Sequence, residues 1–341
     1  KTFAIISTDK DIGGISSMIE ISTMAIASKI KKVYLFLLKN SKTTQLIKKY
    51  FSYNKKIIIY ELTILDEILM SFGALSKSIN NKILSSDLIF LHNAKLINNF
   101  SQFYNIKPIV LFFHTDKEKH IKYMSYFNRV FTVNSSMKNK INNNLNIKKA
   151  YLLPNCVKNI NYKNYFNLQR NKKFTVGTMC RLVEKKGISL LIEVFKTIPD
   201  IDLIIAGDGP LRNQYMKEVN GYKNIKFIGW VNNKETFYAN IDVFCLSSTI
   251  EPFGLVILES MVRGIPVIST NCNGPNDIIK NNKNGILFSK NNFSILKNIL
   301  HKLKTNPDLR KKISKNGLDT IKKNYTIDVY TKNLFSLIKD L

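Results

Sequence analysis

Apolar residues fall along this chain in short runs, each followed by a helix-length stretch of mixed polarity. In the first half the runs cover residues 3–7, 33–38, 56–62, 87–92, 108–114 and 129–134. They are rich in Ile, Val and Phe, and apolar at odd and even positions alike. A strand covered on one face alternates, whereas one apolar throughout is covered on both, as in a parallel sheet between helical layers. Helical patterns over 16–30 and 64–84 supply such layers. The expected class is α/β with a doubly wound sheet.

The rhythm stops over 155–173, a polar, aperiodic stretch that reads as a linker. It resumes with runs at 174–179, 202–206, 225–230, 243–248, 266–270 and 285–288. From about 291 the chain reads as helix, with breaks at Asn306-Pro307 and Asn324-Tyr325-Thr326. At roughly 100–200 residues per domain, the length of 341 also gives two domains. The expected boundaries are 1–165 and 166–324, with a last helix over 325–341. The architecture is two Rossmann-like domains facing across a cleft. Ligands in such folds bind beyond the carboxyl ends of strands, so the corners after strands are the candidate site.

Two corners carry a pair of glycines. Gly13 and Gly14 follow the first run, and either let backbone approach a ligand or make a plain tight turn. Gly207-Asp208-Gly209-Pro210 follows 202–206, and its Pro at a helix start favours a structural reading. The corner after 174–179 carries Arg181, Lys185, Lys186 and Gly187. A guanidinium fork and an ammonium there suit a diphosphate. Lys185 reads as a solvated lysine.

The corner after 243–248 reads Glu251-Pro252-Phe253-Gly254-Leu255-Val256-Ile257-Leu258-Glu259. Its second half starts an apolar helix, about 254–263. An acid on an apolar helix needs a partner, because burying it unpaired is costly. A sugar diol is one partner for Glu259, and a structural salt bridge is the alternative. The amides of Gly254 and Leu255 at the helix start suit phosphate. The turn 271–277 either lines the same pocket or is only a turn. His114 ends the run 108–114, and is a contact to a sugar hydroxyl or a satisfied strand-end histidine. His92 has a similar place; His120 and His301 read as surface residues.

Charge widens the choice before narrowing it. The net charge is +28, from 46 Lys and 6 Arg against 24 acids, and there are 40 Asn. Part of this is a compositional bias towards Lys and Asn. The remainder implies attraction to nucleotides, anionic membrane or nucleic acid. Residues 1–170 carry +17 and residues 171–341 carry +11. Arg is scarce and no nucleic-acid-binding signature is present, so nucleic acid is not an expected partner. Cys156, Cys180, Cys245 and Cys272 are widely spaced, which argues against zinc and disulfides and for a reducing cytoplasm. No apolar run reaches the roughly 18–20 residues of a membrane span, and the first residues make a poor signal peptide. Segments 45–60 and 117–127 mix Lys with Tyr, Phe and Ile as interface segments do, although 56–60 also reads as a strand.

The run VGTMCRLVEKKG over 176–187, then IIAGDGPL, FIGWV, EPFGLVILESMVRGIPVIST and NGILF, resembles the retaining GT-B glycosyltransferases of family 4, the glycosyl transferases group 1. The resemblance covers the second domain; in the first it rests on Gly13-Gly14, His114 and Leu153-Pro154-Asn155. Two departures are visible: Cys156 stands where a Gly is usual, and the usual Gly-Arg pair is spread to Gly177 and Arg181. The resemblance implies a C-terminal helix that crosses back onto the first domain. It implies Arg181 and Lys186 at the diphosphate, and Glu259 at the ribose hydroxyls. It places Glu251 and His114 near the transferred sugar, and Phe253, Gly254 and Leu255 at the sugar and diphosphate. Gly229, Trp230 and Val231 match the nucleobase region. It implies a UDP-sugar donor, no further cofactor, no metal, and a glycan or lipid-linked acceptor in envelope polysaccharide synthesis. With the charge, it suggests a cytoplasmic enzyme peripheral on the inner membrane face. A GT-B epimerase or phosphorylase is the alternative.

Overall fold

A computed structural model describes residues 1–72, 74–103, 106–115, 118–146, 148–160, 164 and 173–341, without side chains at 71, 95, 99, 101 and 102. Chain contacts divide it into two units, Lys1–Cys156 with Ile327–Leu341, and Val157–Thr326. Most of the linker 155–173, and the position 165/166, lie outside the described residues.

In the first unit the strands are β1 (Thr2–Ser7), β2 (Lys32–Leu38), β3 (Ile57–Leu62), β4 (Leu88–Leu91), β5 (Ile109–Phe113), β6 (Arg129–Thr132) and β7 (Ala150–Leu152). They form one parallel sheet in the order β3-β2-β1-β4-β5-β6-β7. Every side chain of β4 and β5 is buried, as double-sided cover requires. β7 has no counterpart among the expected strands, because three residues are too few for a pattern. The single helix expected over 64–84 is two, Ile64–Ser71 and Lys77–Leu84. Thr63 caps the first in a reciprocal pair with Asp66. The helix Ile327–Leu337 packs on the helix Gly14–Lys29, so the chain's end belongs to this unit.

The second unit holds β8 (Thr175–Met179), β9 (Asp202–Ala206), β10 (Ile225–Gly229), β11 (Val243–Leu246), β12 (Val267–Thr270) and β13 (Ile286–Phe288). Their order is β10-β9-β8-β11-β12-β13, again parallel. Leu191, Ile192, Val194 and Phe195 of the helix Ile188–Lys196 are fully buried in the core cluster that also holds Val176, Leu203 and Val243. Each such side chain contributes roughly 1.5–3 kcal/mol on burial. The abundant asparagine has structural use here: Asn134, Asn292 and Asn306 each accept a hydrogen bond from the third amide on, capping three helices.

Counted by these units, the charge is even. The first carries 25 Lys and Arg against 11 acids, and the second 27 against 13, each net +14. The surplus of the first half disappears because the boundary lies at residue 156, which leaves Lys158, Lys163 and Arg170 in the second unit, while residues 327–341 add two lysines and two acids and change nothing.

Candidate functional site

In the second unit the strand order reverses at β8, whose neighbours β9 and β11 continue the chain in opposite directions. The loops leaving β8 and β11 therefore diverge, which opens the ligand position of a doubly wound sheet. Lys186 ends the tight turn Glu184–Lys186 after β8, and Glu251 lies in the loop after β11. Lys186 Nζ donates to Glu251 Oε2 at 2.6 Å, with side chains only 17% and 11% exposed. The Ser248 hydroxyl lies 3.5 Å from the same oxygen. Ser247 Oγ donates to the Lys186 carbonyl at 2.9 Å, and the Thr249 amide to the Lys185 carbonyl. Gly187 makes this approach feasible: its φ is +62°, and a Cβ there would meet Ser247 O at 2.2 Å. Arg181, on the same corner, is exposed.

The Gly207–Pro210 turn wraps Leu182, whose amide donates to Asp208 O and whose carbonyl accepts from Leu211 N. That supports its structural reading. The turn 271–277 also supports the loop: Gly274 N donates to Glu251 O, and a Cβ on Gly274 would meet Phe253 Cα at 2.3 Å. The Phe253 side chain is buried edge-on against Tyr325, so it braces the loop from the core side. Gly254, at φ +96°, turns the chain into the helix Leu255–Met261.

Glu259 has protein partners that sequence reading did not name. Lys234 Nζ donates to Oε1 at 2.6 Å, and the Tyr238 hydroxyl donates to Oε2 at 3.1 Å. Burial, then the Glu259 charge, pushes the Tyr238 pKa well above its ordinary value, so the phenol keeps its proton. Arg263 lies over the Tyr238 ring at 4.5 Å and donates to the Glu259 carbonyl and to Glu235. The only advance signal was the isolated acid on an apolar helix; which cation meets it depends on the fold.

Gly229 has φ +70°, accepts from Gly207 N, and faces the Arg212 guanidinium at 3.9 Å from a built Cβ. Arg212 Nε is buried with no hydrogen-bond partner among the described residues. Trp230 is largely exposed, its indole N–H donating to Asn232, and Val231 follows half-buried. Nothing in the sequence singles out Arg212, because an arginine after Gly-Pro-Leu reads as an ordinary first-turn residue.

In the first unit, Gly13 and Gly14 lie at the corner after β1. Gly13 is extended at φ −179°, and a Cβ there meets no atom within 4 Å. Its amide donates to Ser16 Oγ. Beside it Asp9 is half-buried; burial raises its pKa, opposed by the Thr43 hydroxyl at 3.4 Å. His114 follows β5, and its Nε2 lies 3.0 Å from Nδ1 of the buried His92. Burial lowers the His114 pKa to about 4. Asp116 and Lys117 are outside the described residues. His120 is buried rather than superficial, tilted against Phe113. The four cysteines are free, and Cys156, Cys245 and Cys272 are buried. Among the described residues no group of His, Cys, Asp and Glu is placed to hold a metal ion, and no helix is long and apolar enough to cross a membrane.

Residues 163–320 match the family model described as glycosyl transferases group 1. The resemblance read from the sequence holds over that span. The chain is 30% identical over 166 residues to the lipopolysaccharide core biosynthesis glycosyltransferase LpsE of Rhizobium meliloti, covering 48% of this chain and 49% of that one. It is 33% identical over 181 residues to the alpha-monoglucosyldiacylglycerol synthase of Acholeplasma laidlawii, covering 50% and 45%. The chain thus spans about half the length of the curated relatives it matches. The Anabaena HepE structure with UDP-glucose superposes with a TM-score of 0.83 at 15% identity, covering 100% of both chains. The galactosyltransferase WaaB gives 0.75 at 18% identity, also over 100% of both. These likenesses give the fold: two doubly wound units of the GT-B type.

Proposed function

We propose that the chain is a retaining glycosyltransferase that moves a hexosyl group from a UDP-sugar to a glycan or lipid-linked acceptor of the bacterial envelope. The observation that carries this reading is the Lys186–Glu251 corner at the strand-order reversal, inside the span that matches the family model. The named activities of LpsE and the A. laidlawii synthase agree with it.

In this reading the bond from the anomeric carbon to the diphosphate breaks as a bond to the acceptor oxygen forms on the same face. The acceptor proton passes to a diphosphate oxygen. Arg181 and Lys186 take up the charge developing on the leaving group, and the amides of Gly254 and Leu255 add to them. Preorganised donors of this kind contribute about 3–4 kcal/mol each. Glu251, bonded to Lys186, orients that ammonium beside the sugar. Glu259 receives the ribose hydroxyls in competition with Lys234 and Tyr238. Gly229, Trp230 and Val231 border the base. Gly13, Gly14 and His114 act from the first unit. No metal is assigned: the cationic side chains do what a divalent ion does in other transferases.

We place the reaction at an anionic membrane surface, on the cytoplasmic side. The net charge of +28 supports this, as do Ile64, Leu65, Ile68 and Phe72, exposed by 77%, 63%, 49% and 83% along one short helix and its end. In the segment 45–60, Lys48 is engaged with Glu61 and Lys56 with the Ala27 carbonyl.

The test is a thermal-shift screen of UDP-, GDP- and ADP-sugars, followed by product mass with glycan and lipid acceptors. Stabilisation by a UDP-sugar and acceptor-dependent release of UDP are expected. UDP-sugar consumption that yields an epimer or a sugar phosphate would replace transfer by epimerase or phosphorylase chemistry. Co-sedimentation with anionic but not neutral vesicles is expected, and equal recovery with both would remove the membrane.

A further inference from the structure

The buried polar chain beneath His114 has a direction. Ser22 Oγ lies 3.1 Å from the Ile19 carbonyl and 3.3 Å from His92 Nε2. His92 Nδ1 lies 3.0 Å from His114 Nε2. His114 Nδ1 is buried and has no partner among the described residues. The Phe112 ring stacks on both imidazoles, at 4.6 Å and 6.3 Å between centroids, and holds them in register.

The Ile19 carbonyl only accepts and is the nearer of the two partners, so the Ser22 hydroxyl is assigned as its donor. The hydroxyl then offers His92 a lone pair, and Nε2 of His92 carries the hydrogen. In a neutral ring its Nδ1 is the acceptor, so His114 Nε2–H donates to it. The hydrogen of His114 is thus used internally, and its Nδ1 keeps a lone pair. The orphaned atom agrees, because a buried N–H without a partner is rarer than an under-satisfied acceptor. Burial favours the neutral form of both rings.

We propose that Ser22 and His92 are positioning residues that fix the tautomer of His114, so that its Nδ1 accepts hydrogen from a hydroxyl of the sugar or of the acceptor. The tautomer follows from this geometry alone; the hydroxyl rests on the function proposed above. A hydroxyl that donates is matched by such an acceptor, whereas an N–H at the same place would itself donate and reverse the polarity of the contact.

Nitrogen-15 NMR of histidine-labelled protein, without any nucleotide, tests the tautomer. His114 is expected protonated at Nε2, and protonation at Nδ1 overturns the proposal. Two variants test the role. His92→Phe keeps the stack on Phe112 but removes the acceptor, whereas His92→Gln keeps an acceptor. With UDP-glucose as probe, His92→Phe should release the His114 tautomer and lower kcat about tenfold with donor KM unchanged. His92→Gln should recover both. Equal tautomer populations and equal turnover in the two variants would sink the relay. If the wild-type protein turns over no sugar nucleotide, the proposed function fails while the NMR result still decides the tautomer.

Discussion

Lys186 Nζ lies 2.6 Å from Glu251 Oε2, tying the turn after β8 to the loop after β11 where the strand order reverses. A pair this shielded is screened less than a surface ion pair, and under the proposed function it lies where a diphosphate would leave. Lys186→Ala and Arg181→Ala are each expected to lower kcat by about 10²–10³ with a UDP-sugar. Glu251→Gln leaves the ammonium without its anion and should lower stability by about 1–3 kcal/mol. Steady-state kinetics with urea melts separates the effects. Unchanged turnover in Arg181→Ala would remove that residue from the mechanism.

Glu259 discriminates a binding role from a structural one. If it holds the ribose, Glu259→Ala raises donor KM and leaves kcat nearly unchanged, the mark of uniform binding. Tyr238→Phe removes one competing donor from the same carboxylate and should leave donor KM unchanged or lower. A Glu259→Ala variant with a lowered Tm and a normal donor KM would show that the contacts from Lys234 and Tyr238 are its whole purpose.

Arg212 gives a sharper version of the same test. Among the described residues its buried Nε has no partner and its guanidinium makes no hydrogen bond or ion pair, so Arg212→Ala removes the packing of a half-buried stem but no internal polar contact. The Tm of the free protein should hold, while affinity for UDP falls about tenfold, the loss of one charge-assisted hydrogen bond. Calorimetric titration of UDP checks this; unchanged affinity would separate Arg212 from the nucleotide.

Gly187 and Gly13 should respond oppositely to a methyl group. Gly187→Ala forces a Cβ to 2.2 Å from Ser247 O at φ +62°, so it should destabilise by more than about 1 kcal/mol and distort Lys186. At Gly13 the backbone is extended and a Cβ meets nothing, so Gly13→Ala should leave the urea midpoint unchanged or slightly higher. Lost turnover in that stable variant would separate close ligand approach from a plain turn.

How legible these features were depends on whether their cause is local. The corners at Arg181-Lys186 and Glu251-Glu259 could be found in the sequence because each motif lies within a few residues of a strand end. The strands themselves were visible because double-sided burial leaves no polar position in β4 or β5. The partners were not visible. Lys234 meets Glu259 across 25 residues and His92 meets His114 across 22, contacts that exist only once the sheet order is set. In a chain with 46 lysines, no pattern says which one is paired. The apparent charge surplus of the first half came from counting at a boundary that the contacts place elsewhere.

The buried histidines make stability depend on pH in a predictable direction. Burial holds His114 at about 4 against an ordinary 6.5, and burial followed by repulsion from His114 holds His92 well below 6.5. In the unfolded chain both rings titrate near their ordinary value. Between about 4 and 6.5 the unfolded state therefore binds more protons, and the folded state loses stability as pH falls. Above 6.5 both states are neutral at these rings and the contribution is constant. Urea melts from about pH 7.5 down to about pH 4.5 should show a shallower decline in a His92→Gln, His114→Asn double variant than in the wild type. All other titratable groups are common to both proteins, so the difference isolates the pair. Parallel declines would mean that one or both rings are protonated in the folded protein, and the relay polarity would then fail at low pH.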